Sequence, residues 1–121
     1  FKRIVGVEYS PRIHQTAEEN IRKYKNRNIR CRDIASICMD ALEFSFPNEP
    51  LVVYLFSPFK RKDLMTKLLA NLGNSVKQCP REVIIISSGI GDEEVLNEAE
   101  WLQRIRVGWN WAIYKTLAGI A

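Results

Sequence analysis

The order of apolar runs in this chain predicts an α/β fold: a mostly parallel sheet wound with helices and closed by an antiparallel hairpin. Three observations carry that reading. Runs rich in β-branched residues at 4–7, 51–56 and 83–86 are too short for helices and apolar without alternation, as strands buried on both faces are. Between them, apolar residues recur at helical spacing, and strand–helix alternation of this kind builds parallel sheets. Near the end the pattern changes to two strand-like runs that meet at Gly108, a tight turn between antiparallel strands.

Taken in order, residues 2–7 form a first strand through Ile4, Val5 and Val7, and Glu8 ends it. Ser10 then offers a helix cap and Pro11 a first-turn proline, with Ile13, Ala17, Ile21 and Tyr24 on one helical face. After the polar stretch 25–32, residues 34–39, bounded by Asp33 and Asp40, read as a short second strand. Pro47, Asn48 and Pro50 make 42–50 a turn-rich connection that cannot continue a helix. Residues 51–56 are the most apolar run and are expected to be a central strand. Ser57, Pro58 and Phe59 break it, and the basic stretch 60–62 opens a helix in which Leu64, Leu68, Leu72 and Val76 repeat every four residues before Pro80 closes it. Residues 83–86 form a fourth strand, with Ser87, Ser88 and Gly89 as loop. Residues 93–98 make one or two helical turns, and 100–107 with 109–117 make the hairpin. No internal repeat, low-complexity tract or linker interrupts the pattern, so one domain over 1–121 is expected.

Composition narrows the class. With 121 residues, 46% hydrophobic and 26% charged, the chain suits one soluble domain with a single core. No stretch approaches the roughly 20 apolar residues of a membrane span, and the start lacks the layout of a secretory signal, which makes the cytoplasm the expected location and a membrane partner unexpected. Cys31, Cys38 and Cys79 are odd in number and lack the close paired spacing of zinc sites, so reduced structural thiols and no metal are expected. The net charge of +4 and a pI near 9.1 suit an acidic partner such as nucleic acid, through non-specific attraction.

In a doubly wound sheet, ligands bind outside the carboxyl ends of the strands. Here those ends carry Glu8, Asp40 and the loop Ser57-Pro58-Phe59. A carboxylate at Glu8 can accept hydrogen bonds from both hydroxyls of a ribose, or it can cap the following helix. Asp40 with Ala41 and Leu42 suits an adenine amino group and its flat base, or is an ordinary turn. Ser57 has no recognisable base partner, which argues against a hydrolase nucleophile. His14 falls near a helix start, where a surface or packing role outweighs catalysis. Trp101, Trp109 and Trp111 on a hairpin pack more often than they stack bases, and Lys60, Arg61 and Lys62 read as a solvated helix start before a phosphate site.

Together these motifs resemble class I S-adenosylmethionine-dependent methyltransferases over nearly the whole chain. The run Ile4-Val5-Gly6-Val7-Glu8-Tyr9-Ser10-Pro11 is similar to that family's second strand, acid and helix start, and Asp40-Ala41 to its adenine-binding pair. Residues 51–59 resemble its fourth strand and following loop, 83–86 its fifth strand, and the hairpin with Trp111-Ala112-Ile113-Tyr114 its antiparallel last strands. The resemblance implies a Rossmann-like sheet, S-adenosylmethionine as cofactor, Glu8 and Tyr9 at the ribose, Asp40 and Ala41 at the adenine, and Ser57, Pro58 and Phe59 beside the transferred methyl. The loop after residue 56 partly matches the family's amine-modifying pattern of a polar residue, prolines and an aromatic. One departure is large: no G-x-G-x-G turn occurs, and the first strand that should carry it is missing. Residues 1–121 are therefore expected to be part of such a domain and to bind the cofactor poorly alone. The methyl acceptor, whether protein, nucleic acid or small molecule, stays open. Two other readings stand beside this one. A nicotinamide-dependent oxidoreductase is disfavoured by the hairpin and the absent G-x-G-x-x-G, and a non-catalytic nucleic-acid-binding module would use the basic surface.

Overall fold

In the computed structural model, which describes residues 1–25, 28–89 and 91–117, the chain divides into two units, Phe1–Ser45 and Phe46–Ala121. Of the predicted polar stretch 25–32, Asn26 and Arg27 lie outside the described residues.

The first unit is a strand–helix–strand motif: β1 (Ile4–Glu8), α1 (Pro11–Lys25) and β2 (Ile34–Cys38), followed by a 3-10 turn over Ala41–Glu43. Strands β1 and β2 are parallel, in register from Ile4 opposite Ile34 to Glu8 opposite Cys38. The predicted helix start is observed: Pro11 is its first residue, and the Ser10 hydroxyl oxygen accepts the Ile13 N–H at 3.4 Å. At the other end Arg32 Nη1 donates to the Lys25 carbonyl at 2.8 Å and satisfies one of the orphan carbonyls. The apolar stripe is only partly covered. Ala17 and Ile21 are half-buried, but Ile13 and Tyr24 are each 56% exposed. A helix of this length spans about 22 Å against about 17 Å for a five-residue strand, so its ends overhang the sheet.

The second unit contains β3 (Leu51–Phe56), α2 (Lys62–Gln78), β4 (Val83–Ser88), α3 (Glu93–Glu98), β5 (Leu102–Val107) and β6 (Trp111–Thr116). Its four-stranded sheet has the order β3-β4-β6-β5. Strands β3 and β4 are parallel, while β6 runs antiparallel to both β4 and β5. The architecture is thus mixed α/β, with antiparallel pairings as numerous as parallel ones, where a mostly parallel sheet was expected. Among the described residues β3, expected to be central, has one partner, and its Val52, Tyr54 and Phe56 are 43%, 63% and 68% exposed. Strand β4 runs two residues further than expected, because Ser87 and Ser88 continue the ladder opposite Ala112 and Trp111.

The core lies in this unit. Leu55, Val83, Ile85, Ala112 and Tyr114 of the sheet are buried together with Met65, Leu68, Leu69, Leu72 and Val76 of α2 and Val95 and Leu96 of α3. Helix α2 comes so close to Trp101 that a Cβ at Gly73 would sit 2.9 Å from its indole nitrogen. Arg81 ties the helix end down, donating to the carbonyls of Glu49, Ser75 and Cys79 and to the Ser75 hydroxyl. No described helix is long and apolar enough to cross a membrane, and all three cysteines are free thiols.

Candidate functional site

Parallel pairing brings the two predicted carboxylates to the same end of the first unit. Glu8 is the last residue of β1 and pairs with Cys38, and Asp40 follows Cys38 by two residues. The Met39 N–H donates to the Glu8 carbonyl at 3.0 Å and holds the two strand ends together. Both acids spend one oxygen locally. Glu8 Oε1 accepts the Ser10 N–H at 3.1 Å, and Asp40 Oδ1 accepts the Leu42 N–H at 3.0 Å, capping the 3-10 turn. The capping and turn readings of these acids are therefore correct as far as they go. Each carboxylate keeps a second oxygen with no partner among the described residues, an acceptor available to an incoming donor. Tyr9 is 76% exposed beside Glu8, and Ala41 is half-buried at the start of the turn. Two adjacent acids with open acceptor positions suit a ligand that presents hydroxyl and amino donors and no phosphate.

His14 has a role that the sequence reading did not assign. Its Nε2 lies 2.9 Å from Glu18 Oε1 and its Nδ1 2.8 Å from the Ser36 hydroxyl oxygen. A carboxylate only accepts, so Nε2 donates to Glu18, and Nδ1 shares a hydrogen bond with the Ser36 hydroxyl. The chain Ser36–His14–Glu18 thereby fastens α1 to β2. The partner serine is 22 residues away, which no local pattern reveals. Nearby, Glu18, Ile21, Arg22, Ile34, Ala35 and Ser36 line a shallow groove of about 220 Å³.

In the second unit the loop after β3 is strained. Ser57 has φ +41°, a left-handed conformation uncommon for a residue with a Cβ. Gly89, at φ +98°, backs onto it so closely that a Cβ there would meet Ser57 Oγ at 2.6 Å. The Gly89 N–H donates to the Asn110 carbonyl at 2.8 Å, so the hairpin turn holds Gly89 against Ser57. Pro58 is exposed and Phe59 half-buried. Two residues of the basic run beyond are held in ion pairs: Arg61 reaches Asp63 through two hydrogen bonds, and Lys62 pairs with Glu94 at 2.6 Å. That pairing holds Asp63 below the ordinary carboxylate range, first through the Arg61 hydrogen bond. Trp101 packs on Gly73 and Trp111 on Gly108, whereas Trp109 is 92% exposed in the turn and outside the strand predicted for it.

One buried acid also escaped the sequence reading. Asp92 is 7% exposed, its Oδ2 has no partner among the described residues, and burial followed by the neighbouring Glu93 charge pushes its carboxyl above the usual range. Among the described residues no group of three or more His, Cys, Asp or Glu side chains is arranged to hold a metal ion.

No protein-family model and no curated protein matches the chain. Solved structures share its fold. PH0226 from Pyrococcus horikoshii matches with a TM-score of 0.62 and 16% identity over 95% of this chain and 72% of that one. HI0767 from Haemophilus influenzae, named as a candidate methylase, matches with 0.61 and 13% over 96% and 73%. The N-methyltransferase NodS from Bradyrhizobium japonicum, in complex with S-adenosylhomocysteine, matches with 0.59 and 15% over 95% and 67%. The chain thus has an α/β fold shared with methyltransferases, as the motif resemblance implied. At these identities the shared property is the fold.

Proposed function

We propose that the chain belongs to an S-adenosylmethionine-dependent methyltransferase domain. The observation that carries this reading is the pair of carboxylates, Glu8 and Asp40, at the carboxyl ends of adjacent parallel strands, each with an open oxygen. The likeness to NodS, a protein solved with S-adenosylhomocysteine, supports the choice of cofactor. The donor set fits: Glu8 accepts from the ribose hydroxyls with Tyr9 beside it, and Asp40 and Ala41 meet the adenine. When bound, S-adenosylmethionine supplies a methyl group on a sulfonium, a good leaving group that demands no dedicated acid or base. The protein then contributes positioning and shielding from water. Ser57, Pro58 and Phe59 border the acceptor, with the Ser57 backbone held by Gly89.

The reading includes one further strand. Strand β1 pairs only with β2 and β3 only with β4 among the described residues, so each offers an edge to a parallel strand, and no G-x-G-x-G turn occurs in residues 1–121. Such a strand, with a glycine-rich turn against the cofactor, would complete the site, and residues 1–121 alone bind weakly without it.

Isothermal titration with S-adenosylhomocysteine tests both parts. The expected Kd is weaker than about 100 μM, with a further loss of about tenfold in Glu8→Gln. No heat at millimolar ligand, or tighter binding of NADH, contradicts the cofactor assignment. Micromolar affinity contradicts the need for an added strand.

A further inference from the structure

We infer that Ser36, His14 and Glu18 form a nucleophilic serine site for small carboxylic esters, on the groove between α1 and β2. The three side chains are linked in a row: the Ser36 hydroxyl lies 2.8 Å from His14 Nδ1, and His14 Nε2 lies 2.9 Å from Glu18 Oε1. Nucleophile, base and orienting acid are each within hydrogen-bond reach of the next, the geometry by which such sites are recognised on unrelated folds. Fastening α1 to β2 requires only the bond between His14 and Ser36. Glu18 stands four residues beyond His14 on the same helix, so its bond joins no further element and instead fixes the ring. Ser36 is half-buried and, with Glu18, Ile21, Arg22 and Ile34, lines the groove of about 220 Å³, so its hydroxyl borders a space that a substrate can enter.

The strand supplies a donor for the oxyanion. The Ile4 N–H donates to the Asp33 carbonyl and the Met39 N–H to the Glu8 carbonyl, so the odd-numbered residues of this segment turn their backbone groups toward β1. Direction alternates along a strand, which puts the Ser36 N–H on the outer edge of β2, where no strand pairs among the described residues. The amide of the nucleophile itself is one of the oxyanion donors in serine hydrolases. Arg22, the cation among the groove residues, adds positive charge. In the reaction the Ser36 proton passes to His14 Nδ1 while Oγ bonds to the ester carbonyl carbon. The resulting imidazolium keeps its Nε2 hydrogen on the Glu18 carboxylate, which stabilises the new charge. Collapse of the tetrahedral adduct breaks the carbon–oxygen bond to the alcohol, which leaves with the proton from Nδ1. Water then repeats both steps on the acyl-serine, releasing the carboxylic acid and restoring the hydroxyl. A single backbone donor suits an ester, whose alkoxide leaves more readily than an amine. The groove is smaller than the roughly 300 Å³ or more of pockets for drug-sized ligands, and Ile21 and Ile34 are apolar, so the acyl group is short and uncharged. This inference does not rest on the cofactor assignment, since no step uses a cofactor.

Reaction of the full 121-residue chain with a small alkyl fluorophosphonate, its site and rate read by peptide mass spectrometry, tests the assignment. Ser36 should be labelled about 100-fold faster than Ser10, a serine of the same unit that has no base beside it. His14→Phe should slow labelling of Ser36 about 100-fold and Glu18→Ala about tenfold, each at unchanged far-ultraviolet circular dichroism. Glu18→Ala keeps a good helix former and leaves the bond between α1 and β2 in place, so it carries the test where His14→Phe loses its fold. p-Nitrophenyl acetate should be hydrolysed by the chain and no longer, beyond a tenth of that rate, by Ser36→Ala, on the order expected for loss of a nucleophile. Labelling of Ser36 no faster than Ser10 overturns the inference, as does labelling indifferent to Glu18→Ala in a folded protein. Ester hydrolysis undiminished in Ser36→Ala also overturns it, because it reports the imidazole acting without the serine.

Discussion

The chain contains two strand–helix–strand motifs of the same topology, β1-α1-β2 and β3-α2-β4, and they differ sharply in what they bury. In the second, Met65, Leu68, Leu69, Leu72 and Val76 of α2 are withdrawn from water with Val83 and Ile85 of β4. In the first, no described side chain is fully buried, and α1 leaves Ile13 and Tyr24 each 56% exposed with Ala17 and Ile21 only partly covered. The connection is the same, so topology alone does not create a core. Two things do. Helix α2 carries apolar residues on adjacent ridges, with Met65 and Leu69 alongside the every-four row, whereas α1 carries a single thin stripe. Strand β4 is also flanked on both edges, whereas among the described residues β1 and β2 have only each other. The proposed nucleoside contacts therefore sit on the unit with less packing to hold them.

The largest test of this contrast is truncation in each helix. Leu72→Ala, at 1% exposure, should cost about 2–5 kcal/mol, while Ile21→Ala, half-buried, should cost less than about 1 kcal/mol, read from urea midpoints. Comparable costs would mean that the first unit carries a core of its own. Gly89→Ala comes next. A side chain there combines a positive φ with a collision against Ser57, so a loss of about 1–3 kcal/mol in thermal unfolding is expected. In the first unit, Ser10→Ala removes the α1 cap and should cost about 1 kcal/mol, visible as lost helical circular dichroism.

Smallest, and opposite in sign, is Asp92→Asn. The folded state raises this carboxyl above its ordinary value of 3.8, so the native protein binds more protons than the unfolded chain between that value and the raised one. Stability from this group is thus fully present below 3.8 and is lost as pH rises through the folded value. At neutral pH the variant should be the more stable protein, and its advantage should shrink on acidification. Urea midpoints of both proteins across the acid range check this, and an advantage independent of pH would exclude titration of Asp92 as its source.

Much of the fold was legible because it is written locally. Ser10-Pro11 marks a helix start whatever lies elsewhere, and 51–56 declares a strand by its composition. What local pattern does not carry is which edges are paired. The apolarity of 51–56 suggested a central strand, yet β3 borders only β4 among the described residues. The two acids were legible for the same local reason, since Glu8 closes β1 and Asp40 follows the end of β2 by two residues. That each gives one oxygen to a backbone N–H two residues on was foreseen only as an alternative to ligand binding, and the geometry allows both. The positive φ of Ser57, the His14 bridge and the burial of Asp92 depend on residues distant in sequence or on packing, and periodicity has no signal for them.

The central claim, that the first unit receives the nucleoside of the cofactor through Glu8 and Asp40, is tested most directly by amide hydrogen exchange with and without millimolar S-adenosylhomocysteine. The ligand should slow exchange at the Ser10 and Leu42 amides, which bond these two carboxylates, and leave Ile85 and Ile86 in β4 unchanged. Unchanged exchange at Ser10 and Leu42, or the same protection produced by NADH in its place, would contradict it.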